Sequence, residues 1–126
     1  MPRHVLDETR IHPAIRNTVS MSHRDIIEEA QASIAQNRVV VIGMATNPMV
    51  SNARKLLDKR GVAYRYLEYG NYFSQWRRRN ALKMWTGWPT FPMIFIDSAL
   101  IGGLQDLKAL EDSDELMKLL NAERVS

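Results

Sequence analysis

Residues 88–103 read Trp-Pro-Thr-Phe-Pro-Met-Ile-Phe-Ile-Asp-Ser-Ala-Leu-Ile-Gly-Gly. The run divides into a proline-bearing loop, an apolar strand over 93–96, a turn at Asp97-Ser98, a second strand over 99–101 and a glycine pair. Two strands separated by two polar residues make a hairpin. Thr90-Phe91-Pro92, directly ahead of the first strand, is a place for a cis X–Pro bond. Such a bond would turn the preceding carbonyl and N–H outward, where an extended peptide can pair with them.

Upstream of the hairpin, Val-Val-Val-Ile-Gly-Met at 39–44 is fit for a buried strand. A short loop leads to a helix over 50–60, and Gly61 is placed to stop it. Residues 62–68 alternate enough for a second strand, so the first β-α-β unit predicts a parallel pair joined by a right-handed crossover. Residues 74–86 suit a helix, and 104–121 suit one or two closing helices. Toward the N-terminus, Ile26, Ile27, Ala30 and Ile34 recur at helical spacing, with Ser22 and Asp25 reading as the N-cap and third residue of a helix over 22–36. Residues 1–20 are polar and without a steady period. They read as a flexible or loosely docked extension ahead of a domain over 21–126. The order α-β-α-β-α-β-β-α predicts an α/β, thioredoxin-like three-layer sandwich, a four-stranded mixed sheet flanked by helices.

Composition narrows the function classes. A chain of 126 residues, 45% hydrophobic and 25% charged, suits one compact domain with an extension. A net charge of +3 is too weak to demand a polyanionic partner, so nucleic acid is not expected. Zero cysteines exclude disulfides and thiolate metal sites. His4, His12 and His23 lack metal-ligand spacing, so no metal is expected. Ser51 has no histidine near it in sequence and is a poor nucleophile. No apolar run reaches the roughly 18–20 residues of a membrane span, and the opening Met-Pro-Arg-His lacks the core of a signal peptide. A soluble cytoplasmic protein without a membrane partner is the expectation.

The 88–103 run resembles the substrate-binding half of glutaredoxins, and its Trp-Pro-Thr-x-Pro form resembles the monothiol branch most. Glutaredoxins place Cys-Pro-Tyr-Cys, or a one-cysteine variant, at the turn from the first strand into the next helix. Here Asn47-Pro48-Met49-Val50 occupies that turn, with Ala53, Leu56 and Leu57 in register. Asn47 stands at the nucleophile position and Val50 at the resolving one. A register one residue later would put Pro48 on the cysteine of the one-cysteine motif and Ser51 on its serine; neither register supplies a thiol. The resemblance covers about residues 22–121.

By resemblance to the monothiol branch, a glutathione groove is implied. Arg79 and Lys83, four apart on one helix face, fall where that branch reaches a glutathione carboxylate. Phe91, before Pro92, would offer main-chain pairing to the cysteinyl part. Gly102-Gly103-Leu104-Gln105-Asp106 matches the glycine motif, with the Gln105 N–H at a helix start and Asp106 on the carboxylate that holds the γ-glutamyl amine. Two departures stand out. Met44, Ala45 and Thr46 replace the lysine that precedes the catalytic turn, and Leu104 replaces the cysteine of the glycine motif.

Each feature also has a plainer reading. Pro92 shapes a turn, and Gly102-Gly103 permits close strand–helix packing. Arg77-Arg78-Arg79 is a solvated helix face, and Tyr64, Tyr66, Tyr69, Tyr72 and Phe73 pack at a strand end or core rim. Chemistry then decides between the functional classes. Thiol–disulfide exchange needs a thiolate that attacks a disulfide sulfur. Asparagine is no nucleophile near neutral pH, and the thioether of Met49 forms no mixed disulfide. The monothiol branch ligates iron–sulfur clusters with its active-site cysteine, which is gone. The reading that remains is a non-enzymatic, redox-silent binding module without a cofactor, its groove open to glutathione or an extended peptide segment. Two alternatives stand behind it. One is an interaction scaffold whose basic aromatic helix 74–86 docks a partner, an acidic protein or a nucleic acid. The other, by resemblance only, is a monothiol-type oxidoreductase or iron–sulfur protein.

Overall fold

The computed structural model describes residues 3–121. After a 3-10 turn at Glu8–Arg10, helices α1 (Pro13–Met21) and α2 (Arg24–Gln36) lead into strand β1 (Val39–Gly43). Helix α3 (Pro48–Lys59), strand β2 (Arg65–Glu68) and helix α4 (Trp76–Thr86) follow. The hairpin β3 (Met93–Ile96) and β4 (Ala99–Gly102) precedes helices α5 (Leu104–Asp112) and α6 (Glu115–Asn121). The strands form one sheet in the order β2-β1-β3-β4. β1 runs parallel to β2, with Val41 opposite Tyr66, and antiparallel to β3, with Val41 opposite Ile94.

Period-two alternation along β1 sends its side chains into two cores. Val40 and Ile42 join Ile26, Ala30 and Ile34 of α2 and Ala81 and Leu82 of α4. Val39 and Val41 join Ala53 and Leu57 of α3, Leu104 and Leu107 of α5, and Leu116 of α6. All five β1 residues are buried, as a central strand with both faces covered requires. The hairpin turns on Asp97 (φ 49°) and Ser98 (φ 68°), the paired positive dihedrals of a tight primed turn. Arg38 braces it: its Nε donates to Asp97 Oδ1 at 3.0 Å, and its guanidinium also donates to the Leu119 carbonyl at 2.9 Å.

The helix start expected at Ser22 is displaced. Ser22 instead closes α1, its N–H donating to the Thr18 carbonyl, and His23 in the left-handed region (φ 51°) redirects the chain before α2 begins at Arg24. Asp25, expected as a capping residue, instead accepts from Arg78 of α4 at 3.0 Å. The sequence also concealed α1, whose residues are all exposed and leave no buried stripe to read. Gly61 stops α3 as its position predicted, at φ +69° with its N–H on the Asp58 carbonyl. Among the described residues no helix is long and apolar enough to cross a membrane.

Arg79 is the one buried charged residue among those described, 6% exposed. Its guanidinium donates to the Tyr69 carbonyl at 2.9 Å and to the Ser74 carbonyl, tying the 69–75 segment onto α4. Arg79→Ala should therefore lower the unfolding free energy by about 2–3 kcal/mol, since charge-assisted bonds are lost and buried carbonyls are left unpaired. Urea titration should show an earlier midpoint at unchanged slope, and Arg79→Lys should restore only part of the loss.

Two tyrosines couple the fold to alkaline pH. Burial, then the hydrogen bond to Glu68, pushes Tyr66 up to about 12, and burial with the Glu29 carboxylate raises Tyr69 as well. A group that holds its proton more tightly when folded loses its stabilising contribution as pH rises above its unfolded value near 10. Stability should thus fall between about pH 10 and 12, and Tyr66→Phe should make that fall shallower in pH-dependent melts.

Candidate functional site

A groove of about 460 Å³ opens where β1, the loop before β3 and the β4–α5 turn converge. Met44, Asn47 and Met49 line one side, Trp88 to Pro92 form another, and Gly103 to Asp106 close it. Tyr72, from the segment after β2, and Lys83 of α4 complete the lining. The position suits ligand binding, because a pocket at the carboxyl end of a central strand is bordered by helix starts whose N–H groups point outward.

Asn47 is the N-cap of α3. Its Oδ1 accepts from the N–H groups of Met49 at 2.9 Å and Val50 at 3.3 Å, with Pro48 at the first helical position. Those two N–H groups would lower the pKa of a thiol at this position. Here a neutral amide oxygen takes them. Val50 is 2% exposed and faces the core, packed so close to β1 that a Cβ on Gly43 would fall 2.6 Å from its Cγ1. Ser51, the candidate of the alternative register, is exposed on α3 and does not line the groove. Thr46, just before the cap, holds φ 58°, an uncommon value for a β-branched residue.

On the opposite wall, the Phe91-Pro92 peptide bond is cis and Phe91 is buried. Lys83 holds its Nζ 5.7 Å from the Phe91 ring centroid, within cation–π range. At the start of α5, Asp106 Oδ2 accepts from the Gly103 N–H at 3.0 Å. The glycine pair has steric reasons of its own. Gly102 stands at φ +116°, where a Cβ would also strike Asp106 Oδ2 at 2.3 Å, and a Cβ on Gly103 would press on the Pro92 carbonyl at 3.3 Å. The Trp88 indole N–H, close to Gly103, is buried without a hydrogen-bond partner among the described residues.

The structure brings together Lys83, Phe91, Pro92, Gly103, Gln105 and Asp106 of the expected ligand set, with Asn47 and Met49 facing them. It does not bring in Arg79. That side chain turns inward to the Tyr69 and Ser74 carbonyls and lies outside the groove lining. Helical spacing put Arg79 and Lys83 on one face, but the loop above α4 needed a cation to satisfy its buried carbonyls, and Arg79 supplies it. Met44, already marked as standing in place of the lysine before the turn, lines the groove from the end of β1. Tyr72 carried no sequence signal for a site; only the topology that folds residues 69–75 against the β1–α3 turn places it there. Among the described residues no cluster of three or more His, Asp or Glu is arranged to hold a metal ion.

Comparison with known proteins agrees with this geometry. The glutaredoxin family model matches residues 39–101. A glutaredoxin-like protein of Dictyostelium discoideum is 52% identical over 92 residues, covering 73% of this chain and 75% of its own. Glutaredoxin 1 of Rickettsia typhi is 36% identical over 85 residues, covering 68% of this chain and 81% of its own. The crystal structure of a buckwheat glutaredoxin–glutathione complex superposes with a TM-score of 0.69 at 25% identity, over 79% of this chain and 90% of that one. With a matching family model, close relatives and the same fold around the same turn, the chain belongs to the glutaredoxin family, as a member with no cysteine.

Proposed function

We propose that this glutaredoxin-family chain is a redox-silent binding protein whose groove takes glutathione or an extended peptide without thiol–disulfide exchange. The observation that carries the reading is the Asn47 cap. The helix start that would activate a thiolate is occupied by an amide oxygen, while the groove beside it stays open and lined by Phe91, Pro92 and Asp106. A relative of this fold has been crystallised with glutathione. An anionic, peptide-like ligand fits the wall chemistry, since Lys83 can hold a carboxylate and Asp106 an amine. With Arg79 committed to the fold and the upstream lysine absent, a single cation remains for the carboxylate. Affinity should accordingly be modest, in the high-micromolar to millimolar range, roughly 4–6 kcal/mol of binding free energy. A cytoplasmic setting, where glutathione is abundant and thiols stay reduced, is the one this reading fits.

Calorimetric titration with reduced and oxidised glutathione tests the proposal. Saturable binding that weakens several-fold in Lys83→Ala and in Asp106→Ala, and stays unchanged in Arg77→Ala, is the expected result. Absence of binding at millimolar tripeptide, or equal losses in all three variants, would remove the glutathione reading.

A second prediction concerns chemistry. The protein should show no turnover of a glutathione mixed disulfide in a coupled reductase assay, because no thiolate exists to attack. Asn47→Cys should yield a thiol with a pKa below the usual value near 8.5, as the freed Met49 and Val50 N–H groups stabilise its anion. The pH dependence of its alkylation rate reads this directly. Asn47→Ala, which removes the cap without replacing it, should lower stability by about 1 kcal/mol.

A further inference from the structure

The segment after β2 is built more tightly than a plain connection needs. Asn71 Oδ1 accepts from the Phe73 N–H at 2.8 Å, and Ser74 Oγ accepts from the Asn71 N–H at 3.1 Å. The Ala45 N–H donates to the Gly70 carbonyl at 2.8 Å, which fixes the segment to the β1–α3 turn. Arg79 holds it from beneath through the Tyr69 and Ser74 carbonyls. What this bracing presents to solvent is aromatic: Phe73 is 95% exposed, Tyr72 59% and Trp76 53%. A single exposed ring is ordinary, but aromatic side chains on a rigid segment supply contact area with little ordering entropy to lose.

Charge gives the patch a polarity. Residues 69–88 contain Arg77, Arg78, Arg79 and Lys83 and no aspartate or glutamate. Arg79 is turned inward and Arg78 is bonded to Asp25. Arg77, 5.1 Å over the Trp76 ring, and Lys83, over the Phe91 ring, have no carboxylate in ion-pair contact among the described residues. Tyr72 lines the groove itself, so the aromatic segment meets the groove at that residue.

We propose that Tyr72, Phe73 and Trp76, with Arg77, form a docking patch for an acidic protein segment bearing an apolar anchor, whose extended chain continues past Tyr72 into the groove. The proposal rests on the reading of the groove as a ligand site and narrows its ligand from a free tripeptide to part of a longer chain. Aromatic anchors beside a cation are the composition of interface hot spots, and Arg77 at the patch and Lys83 in the groove, without an ion pair among the described residues, favour acidic partners.

The test uses the full chain and a displayed library of random dodecapeptides. Selected peptides should combine Asp or Glu with a large apolar residue. Synthesised and titrated by calorimetry, they should lose about tenfold or more in affinity against Phe73→Ser and against Trp76→Ala, and should also weaken against Lys83→Ala. Thermal melts followed by circular dichroism keep the comparison to folded variants, and both positions are exposed enough to accept the change. Selection of no peptide, selection of neutral or basic ones, or retained affinity in the Phe73 and Trp76 variants would overturn the proposal. So would tight binding of a single-stranded oligonucleotide that collapses with added salt. Peptides that depend on Phe73 and Trp76 without glutathione binding would remove the tripeptide reading and leave this one standing, whereas glutathione binding with peptides indifferent to both would do the reverse.

Discussion

Strand β1 is hidden on both faces, and that requirement organises the rest of the chain. Alternate residues of one five-residue strand must each find a hydrophobic layer, so helices have to lie on both sides of the sheet. α2 and α4 supply one layer, and α3, α5 and α6 supply the other. Parallel pairing of β1 with β2 through α3 places the start of α3 at the carboxyl end of β1. The hairpin, paired antiparallel to β1 on its other edge, brings the Phe91-Pro92 loop and the start of α5 to the same end. The groove is a consequence of this packing, since two helix starts and a loop meet above a strand that can be extended no further.

That origin explains how the groove persists without its thiol. The residues that shape it answer to packing and capping before they answer to any ligand. A side chain at Gly102 would strike the Asp106 carboxylate, and one at Gly103 would press on the Pro92 carbonyl. Val50 sits in the core against Gly43, where an apolar residue is the natural occupant. Asn47 serves the helix well, because its short amide side chain accepts from two otherwise unpaired N–H groups. The turn is therefore structurally complete with asparagine in place of a thiol. The cap, if anything, is better made by asparagine than by a thiol, which is a weak hydrogen-bond acceptor.

Much of the fold was legible because its signals are local. The apolar run Val-Val-Val-Ile-Gly-Met at 39–44 marked β1, the Asp97-Ser98 turn marked the hairpin, and Gly61 marked the end of α3. The failures share a different cause. Ser22 has the chemistry of a cap, but whether it caps depends on where the preceding helix stops, and α1 buries no residue whose spacing could reveal it. Arg79 has the right helical offset from Lys83, yet its role was decided by the Tyr69 and Ser74 carbonyls on a loop that precedes it in the chain. Tyr72 is one of several aromatics in its stretch, and it reaches the groove because long-range bonds, Ala45 to Gly70 among them, fix its segment beside the β1–α3 turn.

The inward turn of Arg79 also changes the electrostatics of the site. An arginine on the groove wall would have offered a planar, two-pronged grip on a carboxylate, which fixes a ligand's orientation as well as its charge. Lys83 offers a point charge on a flexible stem, positioned by its contact with the Phe91 ring. Such a cation attracts anions with little demand on their geometry. For a ligand of the proposed kind, shape discrimination would fall to the backbone beside Phe91, to the Asp106 carboxylate, and to the aromatic rim that begins at Tyr72. Arg79 would then shape recognition indirectly, because the carbonyls it satisfies belong to the segment that carries that rim.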